Sequence, residues 1–318
     1  MRFDVVLKGG RVFDPVHHVD ERLDIGIREG RIAELEKELP HGEETYDVSG
    51  LTVIPGVIDM HVHVTKLLGG RVGYYMAAKT GVTTIIDYAG PVTDISSQIS
   101  SHGCGMNVGC IDAVLPGEVG QSPSRTQVRR FLEQSLKNGS LGLKILGGHY
   151  PLTPESSRLC VEEANAKKVM IACHAGSTQQ RSDIYGLQEA VEFARGQRLL
   201  MAHINAYCRG NRYHYLEELR DAFQMLRENP NIISDSHMAV NNGTSGACRN
   251  GIPCDAITVN CLKMFGYEST QAGLAKAMKD GTVCAIASLK EENVLLNKED
   301  AFQYWSGRDT NINVSFPA

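Results

Sequence analysis

From residue 55 onward, short apolar runs rich in β-branched residues alternate with amphipathic stretches of helical period. The runs are Pro55-Gly56-Val57-Ile58-Asp59-Met60-His61-Val62-His63-Val64, Val82-Thr83-Thr84-Ile85-Ile86, Val108-Gly109-Cys110-Ile111, Leu141-Gly142-Leu143-Lys144-Ile145-Leu146, Val169-Met170-Ile171-Ala172, Leu199-Leu200-Met201-Ala202 and Asn231-Ile232-Ile233-Ser234. Between them, Ser122-Pro123 and Thr153-Pro154 carry the signature of a helix N-cap followed by proline at the first helical position. Leu216, Leu219, Phe223 and Leu226 form an apolar stripe that stops at Asn229-Pro230. Such alternation predicts an α/β chain, with a parallel sheet and crossover helices. Seven strands are found from residue 55 to the end, one short of the eight in a TIM-type (β/α)8 barrel.

Residues 1–54 read differently. Val5-Val6-Leu7, Gly10-Arg11-Val12-Phe13, Leu23-Asp24-Ile25-Gly26-Ile27 and Arg31-Ile32-Ala33-Glu34-Leu35 are short alternating runs punctuated by Gly9-Gly10 and Arg28-Glu29-Gly30. They predict a small antiparallel sheet with tight turns, and 45–54 reads as a further hairpin leading into the next strand. The expected division is therefore 1–54 as an N-terminal β-sandwich part and 55–318 as the barrel.

Composition narrows the partners. A net charge of −5 gives no footprint for nucleic acid or an anionic membrane, and no apolar run is long enough to span a bilayer. The nine cysteines are an odd number scattered through apolar contexts, which fits reduced thiols in a cytoplasm. A small-molecule ligand remains.

The polar residues that end the apolar runs are the chemical signal. Residues i and i+2 of a strand face the same way, so His61 and His63 project together. Lys144 sits in the fourth run, His174 follows the fifth and His203 follows the sixth. Neutral imidazole is the commonest metal ligand, and four histidines at strand ends predict a divalent metal site. A lysine inside an apolar strand either turns to solvent at the sheet end or is desolvated at a cost.

Pro55-Gly56-Val57-Ile58-Asp59-Met60-His61-Val62-His63 resembles the first-strand signature of the amidohydrolase superfamily, which includes dihydroorotases, hydantoinases, isoaspartyl dipeptidases and D-aminoacylases. The resemblance implies a TIM-type barrel beside a small β-sandwich, one or two divalent metal ions (zinc foremost), and hydrolysis of C–N bonds in amides or cyclic amides. It implies that His61, His63 and Lys144 hold one metal and Lys144, His174 and His203 the other, with a carbamate on Lys144 as bridge. A metal-bound hydroxide would then attack the carbonyl. Members resembling D-aminoacylase use a cysteine in the site, which keeps Cys104 and Cys110 open as a variant. Deamination on one metal would need no bridging Lys144.

Substrate groups are less defined. Tyr150 reads either as an oxyanion donor or as a loop aromatic packing on Pro151, and His149 stands beside it above the metals. Tyr207 and Arg209 follow His203, and Arg209 offers a fork for a carboxylate, with Arg249 a weaker choice. The superfamily places an aspartate at the end of strand eight to move the proton. No run after residue 240 ends in this way, so Asp235, which follows strand seven, is the expected substitute. The chain accordingly reads as lacking its C-terminal end. It is expected to be a homo-oligomer or to need a complementing C-terminal chain. The alternative function is a catalytically impaired barrel that serves as a binding or partner subunit.

Overall fold

The computed structural model describes residues 2–65, 71–237, 241–289 and 292–317. They fall into two compact units, Met1–Ile58 with Ala78–Thr84, and Asp59–Ala77 with Ile85–Ala318.

In the first unit, strands β1 (Val5–Asp14), β2 (Val19–Arg28), β3 (Arg31–Glu36), β4 (Glu44–Asp47) and β5 (Thr52–Val53) make one sheet in the order β3-β2-β1-β4, with β5 also on β1. β1, β2 and β3 pair antiparallel as expected. The expected hairpin over 45–54 does not form. β4 and β5 both run parallel to β1, β4 along Val5–Lys8 and β5 along Arg11–Val12. They are two halves of one strand interrupted by a turn. Asp47 accepts the Ser49 N–H, and Gly50 takes a left-handed φ of 80° that other residues rarely adopt. Phe3, Val6 and Leu39 are the buried core of this unit.

The next strands are β6 (Val57–Val62), β7 (Val82–Asp87), β8 (Asn107–Cys110), β9 (Asp112–Ala113), β10 (Gly142–Leu146), β11 (Met170–His174), β12 (Leu199–Met201) and β13 (Ile232–Ser234). β6-β7-β8 form one sheet and β9-β10-β11-β12-β13 another, the latter parallel throughout. β8 and β9 occupy a single strand position. The Ile111 N–H between them donates to Asp87 O at 2.9 Å, and Leu141 N–H donates to Cys110 O at 2.7 Å. Seven strand positions therefore follow one another in chain order, as the sequence pattern predicts.

Residues on alternate faces of these strands do different work. Leu143, Ile145, Ile171, Cys173, Leu199 and Met201 are buried in one apolar cluster with Leu159, Val161, Leu187 and Ala190 of the helices Pro154–Ala166 and Ile184–Ala194. Burying each large aliphatic side chain is worth about 1.5–3 kcal/mol. Lys144, between Leu143 and Ile145, faces the other way and is 1% exposed.

Two helix expectations need correction. The helix after strand three is Arg125–Lys137, and its N-cap is Ser124, not Ser122, because Gln127 completes a reciprocal capping box with Ser124. Thr153 and Pro154 do open the following helix. On helix Tyr215–Glu228 only part of the apolar stripe turns inward: Leu226 packs against the core and Leu219 is half-buried, whereas Leu216 and Phe223 are exposed while Glu218 and Ala222 are buried. Glu218 is drawn inward because its carboxylate accepts the backbone N–H groups of Gly210, Arg212 and Tyr213.

After β13 the pattern changes. β14 (Asn241–Ser245), β17 (Cys284–Leu289), β18 (Glu292–Leu296) and β19 (Asn313–Pro317) build an antiparallel sheet ordered β14-β19-β17-β18, and β15 (Cys248–Arg249) pairs with β16 (Ile252–Pro253). Leu262, Leu274, Met278, Val283, Trp305 and Phe316 give this part its own core, and Trp305 Nε1 donates to Gly246 O at 2.8 Å.

Candidate active site

The histidines predicted from separate strand ends meet in space. The ring centres of His61 and His63 are 5.4 Å apart, those of His61 and His203 5.4 Å, and those of His174 and His203 4.5 Å. His149 lies 5.0 Å from His174, and His237 stacks on His203 at 4.7 Å with nearly parallel planes. Burial is the main cause that pushes the imidazolium forms of His149, His174, His203 and His237 below the usual value, with the charges of neighbouring groups adding to it. His63 is lowered in the same sense and by the same leading cause, although the residue is exposed to solvent. These rings are neutral near pH 7, the state in which imidazole binds metal.

Hydrogen bonds decide which nitrogen of each ring is free. His61 Nδ1 lies 2.7 Å from Asp235 Oδ2, which leaves Nε2 as its donor atom. His174 Nε2 lies 2.8 Å from Ser182 Oγ, which leaves Nδ1. His203 Nδ1 is buried with no hydrogen-bond partner. A carboxylate or hydroxyl on the far nitrogen is how ligand histidines are oriented. Glycines allow the approach. A Cβ on Gly148 would lie 2.3 Å from His174 Nε2, and one on Gly147 1.9 Å from Gly176 O.

Asp235 is the hinge of the arrangement. One carboxylate oxygen meets His61 and the other accepts the backbone N–H of His203. Burial raises its pKa, but the His61 hydrogen bond and charge outweigh that and leave it below the usual carboxylate value. His203 itself has φ 38°, a left-handed conformation rare outside glycine, and Asp235 holds it there. The carboxylate that closes strand seven thus reaches the histidines of strands one and six.

Lys144 Nζ is buried with no hydrogen-bond partner, 5.0 Å from the centre of the Tyr88 ring. Desolvation lowers its pKa from 10.5 to about 8. Tyr88, fully buried, also stacks on His61 at 4.4 Å. Neither Tyr88 nor His237 was singled out in the sequence as a site residue. Position was the available signal, since each follows the end of an apolar run.

Two substrate expectations fare differently from the histidines. Tyr207 is fully buried. Its hydroxyl donates to Ala202 O at 2.7 Å and accepts the Ala175 N–H at 3.0 Å, so it ties the ends of β11 and β12 together and has no donor left for a ligand. Tyr150 is half-buried, and its backbone N–H closes a turn onto Leu146 O at 2.7 Å. Its hydroxyl makes no hydrogen bond among the described residues. Arg209 stands near His149, His174 and His237, whose imidazolium forms its charge disfavours, whereas Arg249 is exposed on β15. Cys110 is buried against Asp112 and Cys104 contacts Met106 O, so the described contacts bring neither thiol to the histidines.

Among the described residues, no group of three or more His, Cys, Asp or Glu side chains is placed as it stands to hold a metal ion. The donor types nevertheless fit a divalent metal. Neutral nitrogens converge with a carboxylate, and the Lys144 and His203 nitrogens are buried without partners.

No family model matches the chain. A dihydroorotase from Geobacter metallireducens is 51% identical over 63 residues, 19% of this chain and 15% of that protein. An allantoinase from Bacillus licheniformis is 36% identical over 110 residues, 32% of this chain and 23% of that protein. The chain thus matches less than a quarter of the length of either curated relative. Among solved structures, an N-acyl-D-glutamate deacylase from Bordetella bronchiseptica, complexed with zinc and a phosphonate inhibitor, superposes on 100% of the chain and 72% of its own at TM-score 0.69 and 14% identity. The chain is similar, over part of its sequence and in its fold, to proteins of the amidohydrolase superfamily. A D-aminoacylase superposes on 99% of the chain and 71% of its own at TM-score 0.64 and 16% identity. A D-hydantoinase covers 74% of the chain and 57% of its own at 0.54 and 18%. These relatives and neighbours are hydrolases of amides and cyclic amides. At such identities the structural likeness carries the fold.

Proposed function

We propose that the chain supplies the catalytic site of a metal-dependent hydrolase of C–N bonds in amides or cyclic amides, on a (β/α)8-type barrel. The observation that carries this reading is the convergence of His61, His63, Lys144, His174, His203 and Asp235 from five strand ends, with their neutral nitrogens beside one carboxylate. The four histidines would hold one or two divalent ions, and the nitrogen-rich donor set suits zinc. When bound, such ions supply a Lewis acid that polarises the amide carbonyl and makes water nucleophilic near neutral pH. Burial brings the Lys144 pKa down to about 8, which enlarges the share of neutral amine, the form that takes up carbon dioxide, and as a carbamate it would add an anion between the two sets of histidines. Asp235 takes the proton of the attacking water and delivers it to the leaving nitrogen. The nine thiols are unpaired, which agrees with a reducing compartment such as the cytoplasm.

The test is metal content together with turnover. Purified protein is expected to carry one to two equivalents of a divalent transition metal and to hydrolyse at least one of dihydroorotate, a hydantoin, allantoin or an N-acyl amino acid. The double variant His61→Ala/His63→Ala should lose at least one equivalent by elemental analysis. Unchanged metal in that variant would sink the ligand assignment, and metal-free protein inert on the whole panel would leave only the partner-subunit role.

Partners follow from the sheet edges. Among the described residues β6 and β13 each pair on one side only, and Met60 and Ile233 on them are 45% and 62% exposed. Open apolar edges invite another strand. An eighth strand, carried by further residues of the same protein or by a partner copy, is expected to raise the monodisperse fraction on size exclusion and the turnover rate. Equal behaviour with and without such a segment refutes the need for it.

A further inference from the structure

The loops that follow β11 and β12 are joined by an ion pair that the catalytic reading does not use. Asp183 is 2% exposed. One of its oxygens caps the helix Ile184–Ala194 by accepting the N–H groups of Tyr185 and Gly186 at 3.0 and 3.2 Å, and the other accepts the Arg212 Nε–H at 2.7 Å. Capping needs only the first oxygen. Arg212 reaches solvent, and such a pair would count for little were its ends free. Both ends are fixed. The Arg212 backbone N–H, like those of Gly210 and Tyr213, donates to the fully buried Glu218, and its guanidinium carbon lies 4.6 Å from the centre of the Tyr185 ring. The pair therefore braces one loop against the other.

The residue beside the brace touches the candidate active site. Ser182 is 7% exposed, and its Oγ is the atom 2.8 Å from His174 Nε2. The rest of its loop is wound tightly, with Ser177 Oγ accepting the N–H groups of Gln179 and Gln180 and Ser177 N–H donating to Gln180 O at 2.9 Å. From the opposite side Gly148 comes so close that a Cβ there would lie 3.0 Å from Ser182 Cβ. We propose that the Asp183–Arg212 pair positions His174: by holding Ser182 against Nε2 it turns Nδ1 toward the other imidazoles as a metal donor. This deepens the hydrolase reading of the same site and rests on it. A neutral imidazole offers one N–H and one lone pair. With Nε2–H donating to Ser182 Oγ, the lone pair is on Nδ1. His61 needs no such brace, because a carboxylate meets its far nitrogen directly. The far partner of His174 is an uncharged hydroxyl on a loop, and its precision comes from what holds the loop. Asp183 and Arg212 touch no reacting atom and are positioning residues.

The experiment measures zinc affinity of the full chain by competition with a chromophoric chelator. Ser182→Ala is expected to weaken zinc binding by roughly 10–100-fold, the usual effect of losing a partner behind a ligand histidine. Arg212→Met should weaken it in the same direction, and Arg212→Lys, which keeps a cation beside Asp183, should recover most of the loss. The double variant Ser182→Ala/Arg212→Met decides between positioning and general support of the fold. If Arg212 acts through Ser182, the double variant binds zinc no more weakly than Ser182→Ala alone, whereas independent structural effects add. Wild-type zinc affinity in Ser182→Ala or in Arg212→Met, additive losses in the double variant, or a wild-type chain that binds no zinc overturns the proposal. If Arg212→Met fails to fold, Ser182→Ala decides alone, and an unchanged affinity there overturns it equally. Zinc binding that depends on both residues in a chain that hydrolyses no amide would keep the brace and defeat the hydrolase reading. Amide turnover with zinc binding indifferent to Ser182 would do the reverse, so the two failures are distinct.

Discussion

Asp235→Asn is expected to reduce kcat by roughly 10²–10⁴-fold, the usual worth of general acid–base help, with a much smaller change in KM. Asparagine preserves the size of the side chain and an oxygen that accepts the His203 N–H, so the left-handed turn at His203 should survive. What is lost is the carboxylate that meets His61 and would carry the proton. Asp235→Ala separates the two contributions. It also strands the His203 N–H, and a buried unsatisfied donor costs about 1–3 kcal/mol. The alanine variant should therefore show a lowered Tm on top of the lost rate, whereas the asparagine variant should melt within a few degrees of wild type. Wild-type kcat in Asp235→Asn, measured on whichever substrate is turned over, would remove Asp235 from the mechanism. The proton carrier would then have to come from an additional strand.

The histidine cluster was legible because its signal is local. A His-x-His pair on a strand needs only the two-residue period to predict a shared direction, and His174 and His203 are marked by the apolar runs they end. Lys144 was legible for the opposite reason, as a charge where the pattern calls for an apolar residue. What failed was whatever depends on contacts distant in sequence. Tyr207 looks like a ligand-facing aromatic until its hydroxyl is seen between Ala202 and Ala175. The stripe of Leu216 and Phe223 looks like a core face until Glu218 is seen capping three backbone N–H groups from the loop before it. β4 and β5 look like a hairpin because a turn lies between them, yet both follow β1. The reach of Asp235 to His61 spans 174 residues of sequence, and no periodicity reports it.

Lys144→Met is expected to abolish activity while making the metal-free fold more stable, a combination that a structural lysine would not produce. The side chain is 1% exposed, its Nζ has no hydrogen-bond partner, and burial lowers its pKa from 10.5 to about 8. Below pH 8 both the folded and the unfolded chain hold the proton, and the fold bears the full penalty, about 3 kcal/mol by the conversion of 1.36 kcal/mol for each pH unit of displacement. Between pH 8 and 10.5 the unfolded chain binds the proton and the folded chain does not, so stability rises with pH across that window. Methionine removes the charge with little change in volume. Chelator-treated Lys144→Met should thus melt higher than wild type at pH 7, and the gap should close as pH approaches 10.5. The activity loss has a separate cause, the missing anion between the histidine sets. Lys144→Ala, which leaves room for a guest, should recover part of its metal content and turnover when short carboxylic acids such as propionate are added. A Lys144→Met protein that melts lower than wild type at pH 7 would show that the amine is paired in the fold. Failure of any carboxylic acid to restore metal to Lys144→Ala would show that no anion is needed at this position.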